Sequence, residues 1–277
     1  MGFLSEKNLL NIAKKEKVAI GAFNTSNLEI TQAIVEAAKE AGYPVIIQTT
    51  PSAIDYAGLE QIFDIVLNEV EEAKIKATLH LDHGKDFGII KKCIDIGYPS
   101  VMIDGSTLDY ESNKNLTKKV VSYAKKYNVS VEGELGVISH KEGGKKSGQT
   151  VYTDPKIAED FVQKTGIDSL AVSVGNEHGA PKGERLDLQL LDEISQVVSA
   201  PLVMHGASGL SRRDIRKATK LGIAKFNIDT QIRKAFSDAM KDGDKTEIDP
   251  REILEVSKNA AKKVIIEYIK LFSQNEI

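Results

Sequence analysis

Cysteine is nearly absent from this 277-residue chain: Cys93 stands alone. No internal disulfide can form, which fits a reducing compartment. A single cysteine among apolar residues at helical spacing reads as a small residue on a buried helix face. Excess charge of one sign is also missing. The balance of 37 Lys+Arg against 40 Asp+Glu leaves a net charge of −3, so no broad field draws the protein to nucleic acid or an anionic membrane. Any anion it binds must be caught by a local site. No apolar run approaches the ~20 residues needed to span a bilayer. The first 17 residues read as an amphipathic helix with charges throughout, without the apolar core and cleavage site of a signal peptide. MGFLSE matches the myristoylation pattern only loosely. The expectation is a soluble, cytoplasmic protein. With 41% hydrophobic and 28% charged residues, it has the composition of a globular domain with a sizeable core.

What is present is a rhythm. Short β-branched runs recur at 18–23, 44–49, 76–81, 100–103, 129–134, 169–174, 201–204 and 223–228. Runs of this length, rich in Val and Ile, are the signature of parallel strands covered on both faces. Segments with helical spacing lie between them, at 28–41, 59–70, 87–96, 113–127, 155–165, 188–198 and 211–221. Gly42, Gly97, Gly166 and Gly222 stand where helices end, positioned to cap them in the left-handed conformation. Eight strands alternating with helices, with no Pro/Ser-rich linker, predict a single-domain (β/α)8 TIM barrel over residues 1–277; an open doubly wound sheet is the runner-up. The last helical stretch, 250–271, exceeds what a barrel needs and could pack against a neighbouring subunit. Residues 137–151 (VISHKEGGKKSGQTV) follow the fifth strand, are rich in glycine and charge, and lack periodicity. A loop this long at that position predicts a mobile catalytic lid.

Barrel enzymes carry their chemistry at the C-terminal ends of strands and in the loops that follow. Of only five histidines, His83, His178 and His205 fall just past the third, sixth and seventh strands. Three imidazoles converging with an open fourth position form a catalytic zinc arrangement. His80, within a strand, and His140, in the lid, take ordinary structural readings, although His80 could steady a ligand from behind. Asp82 either orients a neighbouring histidine or acts as a general acid/base. Asp104 and Glu134 either hold a second cation or satisfy helix N-termini and nearby lysines. Gly179 and Gly206 let backbone approach a ligand closely. Gly206-Ala207-Ser208-Gly209 and Asn227-Ile228-Asp229-Thr230 each run into a helix, which predicts a phosphate site after strands seven and eight.

LHLDHG (79–84), VMIDGS (101–106), VEGELG (131–136), GNEHG (175–179), HGASG (205–209) and NIDT (227–230) resemble, in order, the motif series of class II fructose- and tagatose-bisphosphate aldolases. AFNTSNLEITQAIVEAA, which contains Asn24, and the late DPRE (249–252) extend the likeness over nearly the whole chain. The resemblance implies reversible cleavage of a ketose 1,6-bisphosphate, with fructose 1,6-bisphosphate as the default, into dihydroxyacetone phosphate and glyceraldehyde 3-phosphate. It implies a catalytic Zn2+ on His83, His178 and His205, with Asp82 moving a proton on the aldehyde-derived oxygen. It further implies a dihydroxyacetone phosphate site at Gly179, Gly206–Ser208 and Asn227–Thr230, and a second divalent or monovalent cation at Asp104 and Glu134. Thr50 would face the aldehyde half. Arg251 would reach the distal phosphate from a neighbouring subunit, which implies a homodimer or homotetramer.

The lid departs from the family pattern of paired glycines followed by adjacent acids. Glu142 aligns by spacing as the group that handles the α-carbon proton, but Ser139-His140-Lys141 precede it and no second acid follows, which leaves room for a changed substrate. Rival chemistries fit less well. A Schiff-base aldolase needs a lysine at the sixth or seventh strand end. SLAVSVG and PLVMHG have none, although Lys225 in the eighth strand could face the interior. A metal-dependent hydrolase of this fold usually carries a His-x-His pair on its first strand, and residues 18–23 contain no histidine. A silent sugar-phosphate-binding barrel would leave Asp82 and three aligned histidines unexplained.

Overall fold

A computed structural model describes residues 2–138, 140–142, 145–147, 150–179, 185–244 and 246–274, with the side chains of 140–142 and 145–147 outside the description. Eight parallel strands close into a barrel: β1 (Ile20–Asn24), β2 (Val45–Thr49), β3 (Ala77–Gly84), β4 (Ser100–Ile103), β5 (Ser130–Leu135), β8 (Ser169–Val172), β9 (Leu202–Met204) and β10 (Ile223–Ile228). Between β5 and β8, β6 (His140–Glu142) and β7 (Lys145–Ser147) form a short antiparallel hairpin, and a bridge between Val137 and Val151 closes its base. The segment read as structureless therefore contains a paired element. No periodicity announces it, because each of its strands is three residues long.

The predicted strands and helices recur, with most ends shifted by no more than three residues. The helices are α1 (Glu6–Glu16), α2 (Leu28–Ala41), α3 (Pro51–Ala57), α4 (Leu59–Ala73), α5 (Phe87–Ile96), α6 (Tyr110–Ala124), α7 (Pro155–Thr165), α8 (Leu188–Val197), α9 (Arg212–Lys220), α10 (Thr230–Asp242) and α11 (Pro250–Phe272). Gly42, Gly97 and Gly166 cap α2, α5 and α7 at φ of 61°, 118° and 71°. α6 begins three residues earlier than its apolar spacing suggests, because the Asp109 side chain accepts the Ser112 N–H and caps it there. α3 was not anticipated, although Thr50 as N-cap followed by Pro51 is a helix-start signal.

Strand periodicity of two sorts the residues. Outward-facing Leu79, Leu81, Val101, Ile103, Leu170 and Val172 pack with Ile34, Val66, Ile90, Phe161 and Leu191 of the helices in one continuous core. The interior is different. α1 plugs the N-terminal mouth, with Leu9, Leu10 and Ala13 against Ile20, Ala22 and Ile46. Above this apolar plug the interior becomes polar and charged. Lys14 fastens α1 by donating from Nζ to the carbonyls of Val198, Ser199 and Ala200 at 3.2, 2.7 and 3.2 Å, at the C-terminal end of α8.

α11 uses its buried face within its own chain. Ser257, Ala261, Ile265, Ile269 and Phe272 are buried, Phe272 stacks on Phe226 at 5.0 Å, and Lys258 and Lys262 pair with Glu36 of α2 at 3.0 and 3.2 Å. The length that looked surplus in the sequence thus latches the first and last strands together. Phe272→Ala should cost about 3–5 kcal/mol, whereas Val256→Ala, at a 53% exposed position of the same helix, should stay within about 0.5 kcal/mol. Urea unfolding of the two variants beside the parent checks this, and equal midpoints would show that α11 is dispensable to the fold.

Candidate active site

His83 arrives at the catalytic end on an irregular strand. The β3–β4 register shifts between Leu81 and Gly84, and His83 adopts φ 53°. A non-glycine residue there costs of order 1–3 kcal/mol. The bulge turns both Asp82 and His83 toward the barrel axis, which a regular strand cannot do with adjacent residues. His205 follows β9 and is fully buried. His178 lies in the loop after β8, and two features hold that loop down. Asn176 donates to the His205 carbonyl at 3.0 Å and accepts from the Val174 N–H at 2.9 Å. Gly206, at φ 67°, leaves room for the Glu177 carbonyl, which a Cβ there would meet at 2.2 Å.

The three imidazoles converge. Ring centroids of His83–His178, His83–His205 and His178–His205 are 5.3, 4.7 and 6.0 Å apart, and one nitrogen from each lies within 4.8 Å of the others. Their proton positions follow from their partners. Asp104 Oδ2 lies 3.0 Å from His83 Nδ1, and Glu132 Oε1 lies 2.9 Å from His205 Nε2. Carboxylates only accept, so those two nitrogens carry the protons, and Asn227 Nδ2, 3.2 Å from the same His205 nitrogen, donates to Asp82 instead. The lone pairs of His83 Nε2 and His205 Nδ1 then face each other at 3.0 Å, an arrangement that needs a cation or a proton between them. Tetrahedral zinc with Zn–N of ~2.0–2.1 Å sets nitrogens about 3.3 Å apart, so the donor set and spacing fit such an ion.

Electrostatics around the triad are consistent with this. Burial alone would lower the His83 pKa, but Asp82, the Asp104 hydrogen bond and Glu134 outweigh it and push it up to about 10. Burial lowers His205, against the pull of Glu132. In the metal-free protein a proton therefore bridges the pair and resides on His83. A second group, His83, Asp104 and Glu134, also brings ligand atoms within 4.8 Å. Burial and the neighbouring Asp104 charge raise Glu134 to about 8, and its Oε2 is buried without a hydrogen-bond partner.

Asp82 is 4% exposed and held by three amide donors: Asn24 Nδ2 at 2.9 Å, Gln48 Nε2 at 3.3 Å and Asn227 Nδ2 at 3.2 Å. Burial raises its pKa, but His83, His205, Lys225 and the Asn24 hydrogen bond more than offset this and leave it below the usual carboxylate range. It is ionised at rest.

Asn24, Thr50, Asp82, His83, His178 and Gly179 line one cavity of about 180 Å³, and Gly206, Ser208, Asn227, Asp229 and Thr230 complete its wall. Ala207 and Ile228 are fully buried behind that wall. Two wider grooves open from it, one of about 500 Å³ toward Ser26, Ser52 and Tyr56 and one of about 710 Å³ toward Lys85 and Lys92. The Gly206 turn and the N-terminus of α10 meet on one side, where backbone N–H groups and the helix dipole favour an anion. Arg251 stands apart: its side chain is 87% exposed, clasps Asp249 and lines none of these cavities. Glu142 lies in β6, and its side chain is outside the described residues.

Several residues escaped the sequence reading. Arg233 lines the cavity and is held by Asp229 at 2.9 Å. Gln48 interrupts an apolar strand with an inward amide, a signal that alternation from Ile46 could have raised. Glu132 was visible two residues before Glu134, but only Glu134 received a role. Lys225 does face the interior, where its Nζ is 2.7 Å from Glu132 Oε2, and burial is overcome by Glu132 and Glu6 so that its pKa rises. A lysine held as an ammonium is a poor Schiff-base nucleophile.

Fold and site together define a barrel enzyme whose catalytic end combines an imidazole triad, a buried ionised carboxylate and an anion-binding helix terminus. The sequence profile described as fructose-bisphosphate aldolase class-II matches residues 5–276. The fructose-bisphosphate aldolase of Staphylococcus aureus is 40% identical over 98% of both chains. The crystal structure of the YdjI aldolase from Escherichia coli K12 superposes with a TM-score of 0.87 at 33% identity, covering 98% of this chain and 97% of that one. The fructose-bisphosphate aldolase of Campylobacter jejuni, at 24% identity and a TM-score of 0.82 over 98% and 95% of the two chains, shares the fold. The chain belongs to the class II fructose-bisphosphate aldolase family and is an aldolase acting on sugar phosphates. Among the described residues no helix is long and apolar enough to cross a membrane.

Because a proton occupies the His83–His205 contact in the metal-free protein, metal and proton compete for one position. His83 titrates near 10, so binding of Zn2+ at pH 7 should release about one proton per chain. As pH falls, apparent affinity should weaken; toward pH 10 the release should shrink. A pH-indicator titration in weak buffer reads this directly, and binding without proton release would show that the pair is already neutral.

Proposed function

We propose that the protein is a zinc-dependent fructose 1,6-bisphosphate aldolase, cleaving its substrate reversibly into dihydroxyacetone phosphate and glyceraldehyde 3-phosphate in the cytoplasm. The observation that carries this reading is the meeting, at one cavity, of three imidazoles within metal-binding reach of one another, the ionised Asp82 and the N-terminus of α10. The choice of fructose rests on the curated relatives, which carry that substrate in their name.

His83, His178 and His205 would hold the zinc, and a divalent ion there supplies electrophilic stabilisation of the negative charge left on the ketone-derived half, worth several kcal/mol. The chain's own groups do the rest. Asp82 takes the proton of the hydroxyl beside the scissile bond as that bond breaks, and returns it in the condensation direction. Its three amide donors keep it pointing into the cavity and leave it nowhere else to turn. Gly179, Gly206–Ser208 and Asn227–Thr230 receive the phosphate of the dihydroxyacetone half, so that remote binding energy orients the reacting carbons. Glu142, in a closing segment 137–151, handles the proton at the α-carbon. Thr50, on the shared wall between the cavity and both grooves, faces the aldehyde half. A second cation belongs between His83, Asp104 and Glu134. Arg251 lines neither the cavity nor the two grooves described above, which supports a homodimer or homotetramer in which it reaches a neighbour's substrate.

Asp82→Asn should keep its metal and lose roughly 10²–10⁴-fold in kcat; loss of the metal instead would make Asp82 part of the scaffold. Cleavage of fructose and tagatose 1,6-bisphosphate should be measured side by side, with chelator and with zinc restored. Chelator-sensitive turnover that prefers fructose is expected. A preference for tagatose would transfer the assignment to that sugar, and turnover that survives the chelator would overturn the metal.

A further inference from the structure

Beneath the imidazole triad lies a charged cluster that the mechanism above does not use. Lys225 Nζ donates to Glu132 Oε2 at 2.7 Å, and Glu132 Oε1 accepts from His205 Nε2 at 2.9 Å. Lys225 Nζ also lies 3.3 Å from His80 Nε2. On the other side of His80, Nδ1 lies 2.8 Å from Ser100 Oγ and 3.1 Å from Glu6 Oε2 of α1. All of these side chains are essentially fully buried. Charge buried at this depth carries a desolvation cost and is weak evidence of stabilisation.

We propose that Glu132 and Lys225 are positioning residues that set the tautomer and ring orientation of His205. The ammonium has donors only, so it claims Oε2 and leaves Oε1 as an acceptor aimed at His205 Nε2. That holds the proton on Nε2 and turns the Nδ1 lone pair toward His83. His80, accepting from Lys225 and backed by Ser100 and Glu6, keeps the ammonium in place. The inference rests on the metal reading above for its consequence, since Nδ1 is the nitrogen that faces the triad, but the tautomer itself is a property of the metal-free protein.

The relay predicts a non-additive mutant cycle. In Glu132→Gln, Lys225 still demands an acceptor, so the Gln oxygen turns to it and the amide NH2 faces His205. The imidazole must then accept at Nε2 and carry its proton on Nδ1, with His83 giving up its Nε2 proton to become the acceptor and keeping the Nδ1 proton held by Asp104. Removing Lys225 as well, in the charge-balanced double variant E132Q/K225M, frees the amide to rotate and present its oxygen to His205 again. Nitrogen-15 NMR of the histidines in metal-free protein should show His205 protonated on Nε2 in the parent, on Nδ1 in E132Q and on Nε2 once more in the double variant. Titration with Co2+ should show a loss of roughly 10- to 100-fold in affinity for E132Q, with partial recovery in the double variant. The proposal is overturned by folded E132Q that keeps the Nε2 proton, or by a double variant no different from E132Q. If E132Q does not fold, the double variant decides alone: Nε2 protonation supports the relay and Nδ1 protonation refutes it. A parent protein that binds no Co2+ at the three histidines would sink the metal reading while leaving the tautomer test intact.

Discussion

The Glu132–Lys225 ion pair fixes the depth at which chemistry can begin in this barrel. An ammonium and a carboxylate with no solvent exposure tolerate burial only when every partner stays in place. Their partners come from β3, β9 and α1, elements far apart in the chain, so the pair is satisfied only when the barrel has closed in the observed register and α1 has plugged its mouth. Below the pair and its His80 and Glu6 partners lies the apolar plug of Leu9, Leu10 and Ala13. Above it the pair presents one carboxylate oxygen to His205, and the Lys225 ammonium lends positive potential to Asp82. The His83 bulge adds a strained residue at the same level, and strain of that kind persists only where the surroundings over-determine it.

Most of the frame was legible in the sequence because a parallel barrel writes itself in two unambiguous periods. The strands are mostly short apolar runs, most helices end at glycine or begin at a capping side chain, and the strand ends carry the polar residues. His83, His178, His205 and Asp82 could be found for that reason. Depth was not legible. Glu132 and Glu134 lie two apart and both point inward; the register of β5 against β4 and β8 sends one to the barrel floor and the other to the rim. Register is a property of neighbouring strands, and a single strand's sequence does not encode it. The same limit applies to Lys225, which could be read as a nucleophile until an acid from another strand was seen opposite it. Arg251 marks a different limit: within its own chain it pairs only with its neighbour Asp249 among the described ion pairs, and a single sequence does not say what else faces it.

The cavity's charge is sorted by side. Asp82, Glu132, Asp104 and Glu134 crowd around the imidazoles, and one ammonium with one protonated imidazole cannot balance them. Burial first, and then the nearby Asp104 charge, raise Glu134 to about 8. This half of the site favours a cation, and two overlapping donor groups sharing His83 offer positions for it. The opposite half has the reverse character: the N-terminus of α10, the turn at Gly206 and the Arg233 guanidinium held by Asp229 all favour an anion. A protein of net charge −3 can therefore take a sugar phosphate without relying on an overall positive charge. The attraction operates over the width of one cavity, inside a Debye length of about 8 Å, where the short distances and the low-dielectric walls of the barrel make local charge outweigh the sign of the whole.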